Sequence, residues 1–257
     1  MNDSDGKDYT IAAVDRAMTV LEALGERSEQ GVTDLSKTLG MTKSLVFRLL
    51  HTLEARGFVT RDPNTSTFSL GYRVGVLGER MGHHGSLVYA ARPVMEKVRD
   101  QTSETVNLVI REGTRSLNIA NKQGHHSMRI YSHIGHGPLY AGGGSLVVLA
   151  HSGDAVLDQL LATPLEQLTP KTVTEPEKLR LLLARIRAQG YNIALDDMID
   201  GAFAVAAPIR DSHDEVIAAL SIAGASVRFT EETRGMFIRQ AVDGAAEISA
   251  KLSLRRG

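Results

Sequence analysis

The chain contains no cysteine, which excludes a disulfide scaffold, a thiol nucleophile and a cysteine-ligated zinc site. It also lacks any run approaching the roughly 18 consecutive apolar residues of a membrane span. Its first ten residues, MNDSDGKDYT, have neither the basic start nor the apolar core of a signal peptide. These absences predict a soluble, cytoplasmic protein. A charge of one sign is missing too: 29 bases face 30 acids over 257 residues, a formal net charge of −1. The large basic excess common in nucleic-acid binders is therefore not present over the whole chain. The local balance differs. Between Thr33 and Met81, seven bases face four acids, a net charge of +3.

What is present is an ordinary globular composition, 42% hydrophobic and 23% charged, in a length that suits one large or two small domains. Residues 1–9 are polar and are expected to be disordered. Ile11, Val14, Met18, Leu21 and Leu24 then recur three and four apart, the pattern of one buried helix face, and Gly25 closes that helix. Thr33 is placed to cap a short helix that buries Leu35 and Leu39 and ends at Gly40. Thr42 caps a longer helix, from Lys43 to about Arg56, with Gly57 as the residue that stops it. Two β-prone runs, Phe58–Thr60 and Thr67–Leu70, flank the turn-rich stretch Arg61–Ser66 and read as a hairpin.

Two helices joined by a tight turn at Gly40-Met41 have the spacing of a helix-turn-helix, and the hairpin supplies a wing. The second helix has two unlike faces. Val46, Leu49, Leu50 and Leu53 point one way, while Thr42, Lys43, Ser44, Phe47, Arg48 and His51 point the other. The second set offers cations, hydroxyls, an imidazole and a phenyl ring to the base edges, thymine methyls and phosphates of a major groove. Arg61, on the wing, is placed to reach the backbone or the minor groove. An amphipathic helix with a merely solvated polar face is the bland alternative. The brace helix before it, the hairpin after it and Phe47 on the wet face argue against that.

From Tyr72 to Met81 the pattern is helical again, and Gly82-His83-His84-Gly85 breaks it; the domain boundary is placed there. The second body starts with a helix over Leu87–Gln101. Strand-like runs follow at Thr105–Arg111, Ser116–Asn121, Met128–Ile134, Tyr191–Leu195, Ala202–Ile209 and Val216–Ala223. Helical segments cover 154–161 and 176–189, and a final helix, capped by Thr230 with Glu231 and Glu232 in its first turn, runs to about Leu254. The fold class is α+β, with an antiparallel or mixed sheet flanked by helices.

The residues also carry a family resemblance. Ala13-Val14-Asp15-Arg16-Ala17, the run Gly40–Leu53, Gly57-Phe58-Val59 and Phe68-Ser69-Leu70-Gly71 are similar in order and spacing to the opening helix, recognition helix and wing of the IclR family of transcriptional regulators. Pro138-Leu139-Tyr140-Ala141 and Ala206–Asp211 resemble its effector-domain signatures. The resemblance implies a winged helix-turn-helix over 10–71, a linker helix and hinge over 72–85 and a GAF-like effector-binding domain over 86–257. It further implies a dimer or dimer of dimers on a palindromic operator, repressing a catabolic operon. Arg16 and Thr33 join the recognition-helix set and Arg61 as expected DNA contacts. Pocket positions of the family fall on Ile130, Gly143, Gly144, Ala194, Ala204, Ser221 and Ala223, with Ser132 and Tyr140 nearby.

This chain departs from the family pattern where that pocket is expected. Gly142-Gly143-Gly144-Ser145 stands in place of a run that usually carries a lysine, and Asp196-Asp197-Met198-Ile199-Asp200-Gly201 precedes the Ala206-Ala207-Pro208 element. Four small residues at a helix start leave backbone N–H groups unscreened, a setting that favours an anion. The small, mainly apolar lining predicts an aromatic or otherwise bulky carboxylate effector rather than a two- or three-carbon acid. The glycines can equally serve a tight turn and close packing. Effector binding is expected to act on DNA affinity by moving the joint at Gly82–Gly85.

No motif calls for a cofactor. His125, His126, His133 and His136 invite a metal reading, but neighbouring strand residues face opposite ways and no acid is interleaved, so they are read as solvated. Asp196, Asp197 and Asp200 are read as solvated loop acids, and Ser145 lacks the Gly-x-Ser-x-Gly elbow of a nucleophile. No catalytic set is found. The reading from another class is an enzyme or small-molecule-binding protein whose N-terminal module serves protein contacts.

Overall fold

The computed structural model describes residues 10–79, 83–132 and 134–254; the expected tail over 1–9 lies outside them. The chain divides into two compact units, Met1–Gly85 and Ser86–Gly257.

The first unit is built from α1 (Ala12–Glu26), α2 (Val32–Leu39), α3 (Lys43–Ala55), the antiparallel pair β1 (Val59–Arg61) and β2 (Phe68–Leu70), and α4 (Tyr72–Glu79). Its core joins Val20 and Leu24 of α1, Leu35 of α2, Val46, Leu50 and Leu53 of α3, Val59 and Phe68. Each such side chain contributes roughly 1.5–3 kcal/mol by leaving water. The face expected for α1 is only half right. Leu24 is buried and Leu21 half-buried, but Ile11, Val14 and Met18 are 69%, 53% and 49% exposed, and Val20 takes the central place. The helix meets α2, α3 and β2 of its own unit through its C-terminal half, so its first turns are left uncovered by the described residues of that unit. The helix also runs through Gly25 to Glu26.

Thr33 does not cap α2. That helix starts at Val32 on Gly31, which leaves Thr33 exposed in its first turn. Thr42 does cap α3: its side chain accepts from the Leu45 N–H at 3.3 Å. Gly57, at φ +75°, follows the helix in the left-handed region that suits a residue without a Cβ.

The second unit contains α5 (His83–Thr102), β3 (Thr105–Glu112), β4 (Arg115–Lys122), β5 (Gly135–Pro138), α6 (Gly143–Ala150), α7 (Asp154–Leu161), α8 (Pro176–Gln189), β6 (Asn192–Leu195), β7 (Ala202–Arg210), β8 (Val216–Ala225) and α9 (Glu231–Leu254). The strands form one antiparallel sheet in the order β5-β4-β3-β8-β7-β6. Alternation sorts the side chains onto two faces. Val106, Leu108, Phe203, Val205, Leu220 and Ile222 pack with α5 and α9, whose Phe237 ring lies 4.7 Å from that of Phe203. On the opposite face Ala206 and Ala219 pack with Leu146 and Leu149 of α6 and with Leu179, Leu183 and Ile186 of α8.

Two expectations for this unit are corrected. His83, His84 and Gly85, assigned to a break, lie within α5; Arg80, Met81 and Gly82 fall outside the described residues. Of the run expected as a strand over Met128–Ile134, the described residues 128–132 and 134 form none. The edge of β4 is taken instead by Gly135–Pro138, with Asn118 opposite Gly135. Side chains hold the segment before it. Thr105 Oγ1 donates to the Ile130 carbonyl at 2.9 Å, and Asn121 and Gln123 each donate an amide to the Ser132 carbonyl at 2.8 Å.

Candidate functional site

In the first unit the buried stripe of α3 fixes what its other face presents. Val46 and Leu50 are fully buried and Leu53 nearly so, which leaves Thr42, Lys43, Ser44, Phe47, Arg48 and His51 all exposed on one side. Phe47 is 51% exposed and stacks on His51, one turn on, with ring planes 7° apart and centroids 6.4 Å apart. A flat apolar step flanked by Lys43 and Arg48 therefore stands out from the helix. Arg61 is exposed on the wing but anchored, since its guanidinium lies 5.8 Å from the Phe68 ring centroid and donates to Ser66 Oγ at 3.2 Å. Asp62 shapes the wing tip by accepting from the Asn64 N–H at 2.7 Å. Arg16 and Thr33 are exposed on α1 and α2.

In the second unit a polar floor lies on the sheet face that carries α6. Asn107, buried in mid-strand, accepts from Asn118 Nδ2 at 3.3 Å, and the same amide lies 3.2 Å from Ser132 Oγ. Across the β3–β8 ladder Asn107 is paired with Ser221, which is 3% exposed. Ser221 in turn pairs with Ala206 of β7, and Ala223 with Ala204. The structure thus gathers Ile130, Ser132, Gly143, Gly144, Ala204, Ser221 and Ala223 around one stretch of sheet. It adds Thr105, Asn107, Asn118, Asn121 and Gln123, none of which was expected. Asn107 was signalled in the sequence as a lone amide inside the apolar run of β3; Asn118 and Asn121 sit in a strand with no clean alternation.

The glycine turn behaves differently from its sequence reading. A Cβ on Gly143 would stand 2.7 Å from the Ala204 Cβ, and one on Gly144 would stand 2.8 Å from a Val109 methyl. Both residues are glycine because the helix start lies directly on the sheet. Gly142, at φ +86°, turns the chain into α6, and its N–H donates to Asp197 Oδ2 at 2.9 Å. The amide expected to greet a ligand carboxylate is thus already bonded to one from the chain. Asp197 is not a solvated loop acid. Burial raises its pKa above the ordinary aspartate range, against the opposing pull of the Gly142 N–H. Asp196 does face solvent in part, and its hydrogen bond to Lys171 Nζ, at 2.6 Å, lowers its pKa. The lining is also less apolar than expected, because Asn107, Asn118 and Ser132 share it with the alanines.

Two expected pocket residues lie to one side. The Tyr140 hydroxyl donates to the Glu166 carbonyl at 2.9 Å, which ties its ring into the α6–α8 core, and burial raises its pKa. Ala194 pairs with Ala204, and with Tyr140 it lines a separate cavity beside β6. The histidines pair with carboxylates from other elements, His125 with Asp100 at 3.0 Å and His136 with Glu112 at 2.5 Å; His133 lies outside the described residues. Among the described residues no group of three histidine or acidic side chains could hold a metal ion. No described helix is long and apolar enough to cross a membrane.

Comparison with known proteins matches both units. Residues 13–63 fit the IclR helix-turn-helix domain and residues 80–250 the bacterial transcriptional regulator IclR C-terminal domain. The chain is 31% identical to the HTH-type transcriptional regulator KdgR of Escherichia coli K12, over 97% of its own length and 96% of that protein's. It is 31% identical to the HTH-type transcriptional repressor AllR of Salmonella typhi, over 95% and 90%. An IclR homologue from Microbacterium hydrocarbonoxydans, solved with 4-hydroxybenzoate, is similar at a TM-score of 0.83 and 29% identity, over 96% of this chain and all of that one. The exposed face of α3, the wing and the second domain are therefore those of a DNA-binding transcriptional regulator, not of an enzyme, and the chain belongs to the IclR family.

Proposed function

We propose that the protein is a cytoplasmic repressor of a catabolic operon that binds a palindromic operator as a dimer or dimer of dimers and responds to a small aromatic carboxylate. The observation that carries the DNA contact is the face of α3. Lys43, Ser44, Phe47, Arg48 and His51 are held outward together by burial of Val46 and Leu50, on a helix of the length and position that enters a major groove. Thr42, Arg16, Thr33 and Arg61 flank it. The effector is held against the sheet by Asn107, Asn118, Ser132 and Ser221, beside Ala223. The IclR homologue solved with 4-hydroxybenzoate supports this class of ligand. With the Gly142 amide bonded to Asp197, it is the later N–H groups of the first turn of α6, which have no carbonyl within their own helix, that would meet a carboxylate.

An electrophoretic mobility shift with the promoter region beside the protein's own gene tests the first half. Arg48→Ala changes an exposed residue and leaves the fold intact, yet should weaken binding by about 1–3 kcal/mol. Unchanged affinity would remove α3 as the reading helix. Calorimetry tests the second half: 4-hydroxybenzoate should bind the wild type and fail to bind Ser221→Val. Tight binding of pyruvate with no response to aromatic acids would refute it.

A further inference from the structure

On α3, Phe47 breaks the separation that turns apolar side chains inward. It is 51% exposed, and among the described residues the core shared by α1, α2, α3 and the wing does not include it. A single exposed ring is ordinary surface. The setting of this one is not. Ser44 stands about one turn before it and His51 one turn after, while Lys43 and Arg48 flank it, all of them exposed. The His51 ring lies parallel to it within 7°, with centroids 6.4 Å apart, so the two rings form a flat strip along the helix. Each of those four neighbours can donate a hydrogen bond; the phenyl ring has neither donor nor acceptor.

Chemistry restricts what covers such a ring. A second copy of the same face would set Lys43 and Arg48 against their own kind, a like-charge contact that costs free energy. A polyanion suits the two cations, and a helix that enters a major groove carries the ring in with them. There adenine, guanine and cytosine are told apart by hydrogen-bonding groups, whereas thymine also carries a C5 methyl. Pressed on a donor or acceptor, the ring would desolvate a group it cannot answer. Pressed on the methyl, it removes apolar surface of both partners from water. We infer that Phe47 is a specificity-determining residue, whose ring packs on a thymine methyl and fixes a T·A pair at that position of the operator. This contact rests on α3 being the helix that reads DNA, as proposed above, and it adds which base the helix chooses. Lys43 and Arg48 supply attraction and register around it.

Deoxyuridine pairs as thymidine does and lacks only that methyl, so it serves as the probe. Duplexes bound by the full-length protein are selected from a random-sequence pool and copied either with thymidine or with deoxyuridine in its place. Mobility shifts then read the two affinities. The wild type should bind the thymidine form more tightly, by about fourfold for each methyl covered. Phe47→Ala, at an exposed position, should lose affinity for the thymidine form and bind the two forms alike. Phe47→Leu, still apolar, should keep part of the preference. Arg48→Ala should weaken both forms and keep the wild-type ratio, which separates a lost methyl contact from a general loss of binding. Equal binding of the two forms by the wild type would overturn the methyl contact and leave α3 standing as the reading helix, and so would an undiminished preference in Phe47→Ala. Failure of the wild type to enrich any duplex would overturn the reading helix and the methyl contact together.

Discussion

The backbone N–H of Gly142 donates to the carboxylate of Asp197 at 2.9 Å, joining the turn before α6 to the loop between β6 and β7. Burial raises the pKa of that carboxyl above its ordinary value. A group whose folded pKa is raised takes up a proton on folding, so its contribution is fully present at acid pH and is lost as pH rises through the folded value. Asp197→Asn keeps an oxygen for the Gly142 N–H and removes the titration. The variant should therefore gain melting temperature relative to wild type as pH is raised from about 4 toward neutrality. A difference between the two that does not vary with pH would show that Asp197 is not the titrating group.

Gly143 is held to the sheet by the space its missing Cβ leaves. A methyl there would stand 2.7 Å from the Ala204 Cβ and 3.1 Å from Ser221 Oγ. Gly143→Ala should cost about 1–3 kcal/mol, the range for overpacking a filled interior. In α4, Gly75 has open space around it, and Gly75→Ala should stabilise the first unit by about 0.5–1 kcal/mol. Denaturant melts of the two variants, one shifted down and one up, are the check.

At the start of α3 the Thr42 hydroxyl satisfies one of the helix's orphan donors, the Leu45 N–H. Thr42→Ala should lose about 0.5–2 kcal/mol from the first unit, while Thr42→Ser should lose little. If alanine and serine melt alike, the hydroxyl does not cap the helix in solution.

Glu104 is 1% exposed and receives two hydrogen bonds from Arg228, one of them 2.8 Å from Nη2 to Oε2. His126 Nε2 stands further off, at 3.8 Å. Arg228→Ala would leave a buried carboxylate without its main partner, a loss of about 3–5 kcal/mol. Replacing both residues together, Glu104→Met with Arg228→Met, should recover much of that. A double variant as unstable as Arg228→Ala would mean that the packing around Gly224, not the charge, sets the cost.

Helix α3 was legible from sequence because three independent signals agree there: the 3.6-residue period, the Thr42 cap and Gly57. The hairpin and the positions of most strands were legible from β-prone runs bounded by turn residues, but their order in the sheet was not. Met128–Ile134 was not, since its β-prone residues satisfy no ladder and are held by Thr105, Asn121 and Gln123, whose reach is set by tertiary placement. The glycine run stayed open between two readings because spacing cannot tell a glycine that greets a ligand from one pressed against Ala204. Asp197 was misread because burial of an acid depends on which loop closes over it. The polar floor depended on seeing that Asn107 and Ser221, remote in sequence, share a rung of the sheet.

That rung lies on a seam with a bearing on how the protein is made. Strands β3, β4 and β5 come from one stretch of chain and β6, β7 and β8 from another, and the two halves join only where Thr105 to Val109 pairs with Ala219 to Ala223. On the ribosome, β3 emerges well before its partner strand β8, and α9, which covers Val106 and Leu108, emerges after both. Nascent chains therefore carry an unsealed half-sheet until β8 emerges, the kind of intermediate that attracts chaperones or sticks to its own copies. Truncation before β8 should therefore yield insoluble material rather than a smaller folded domain.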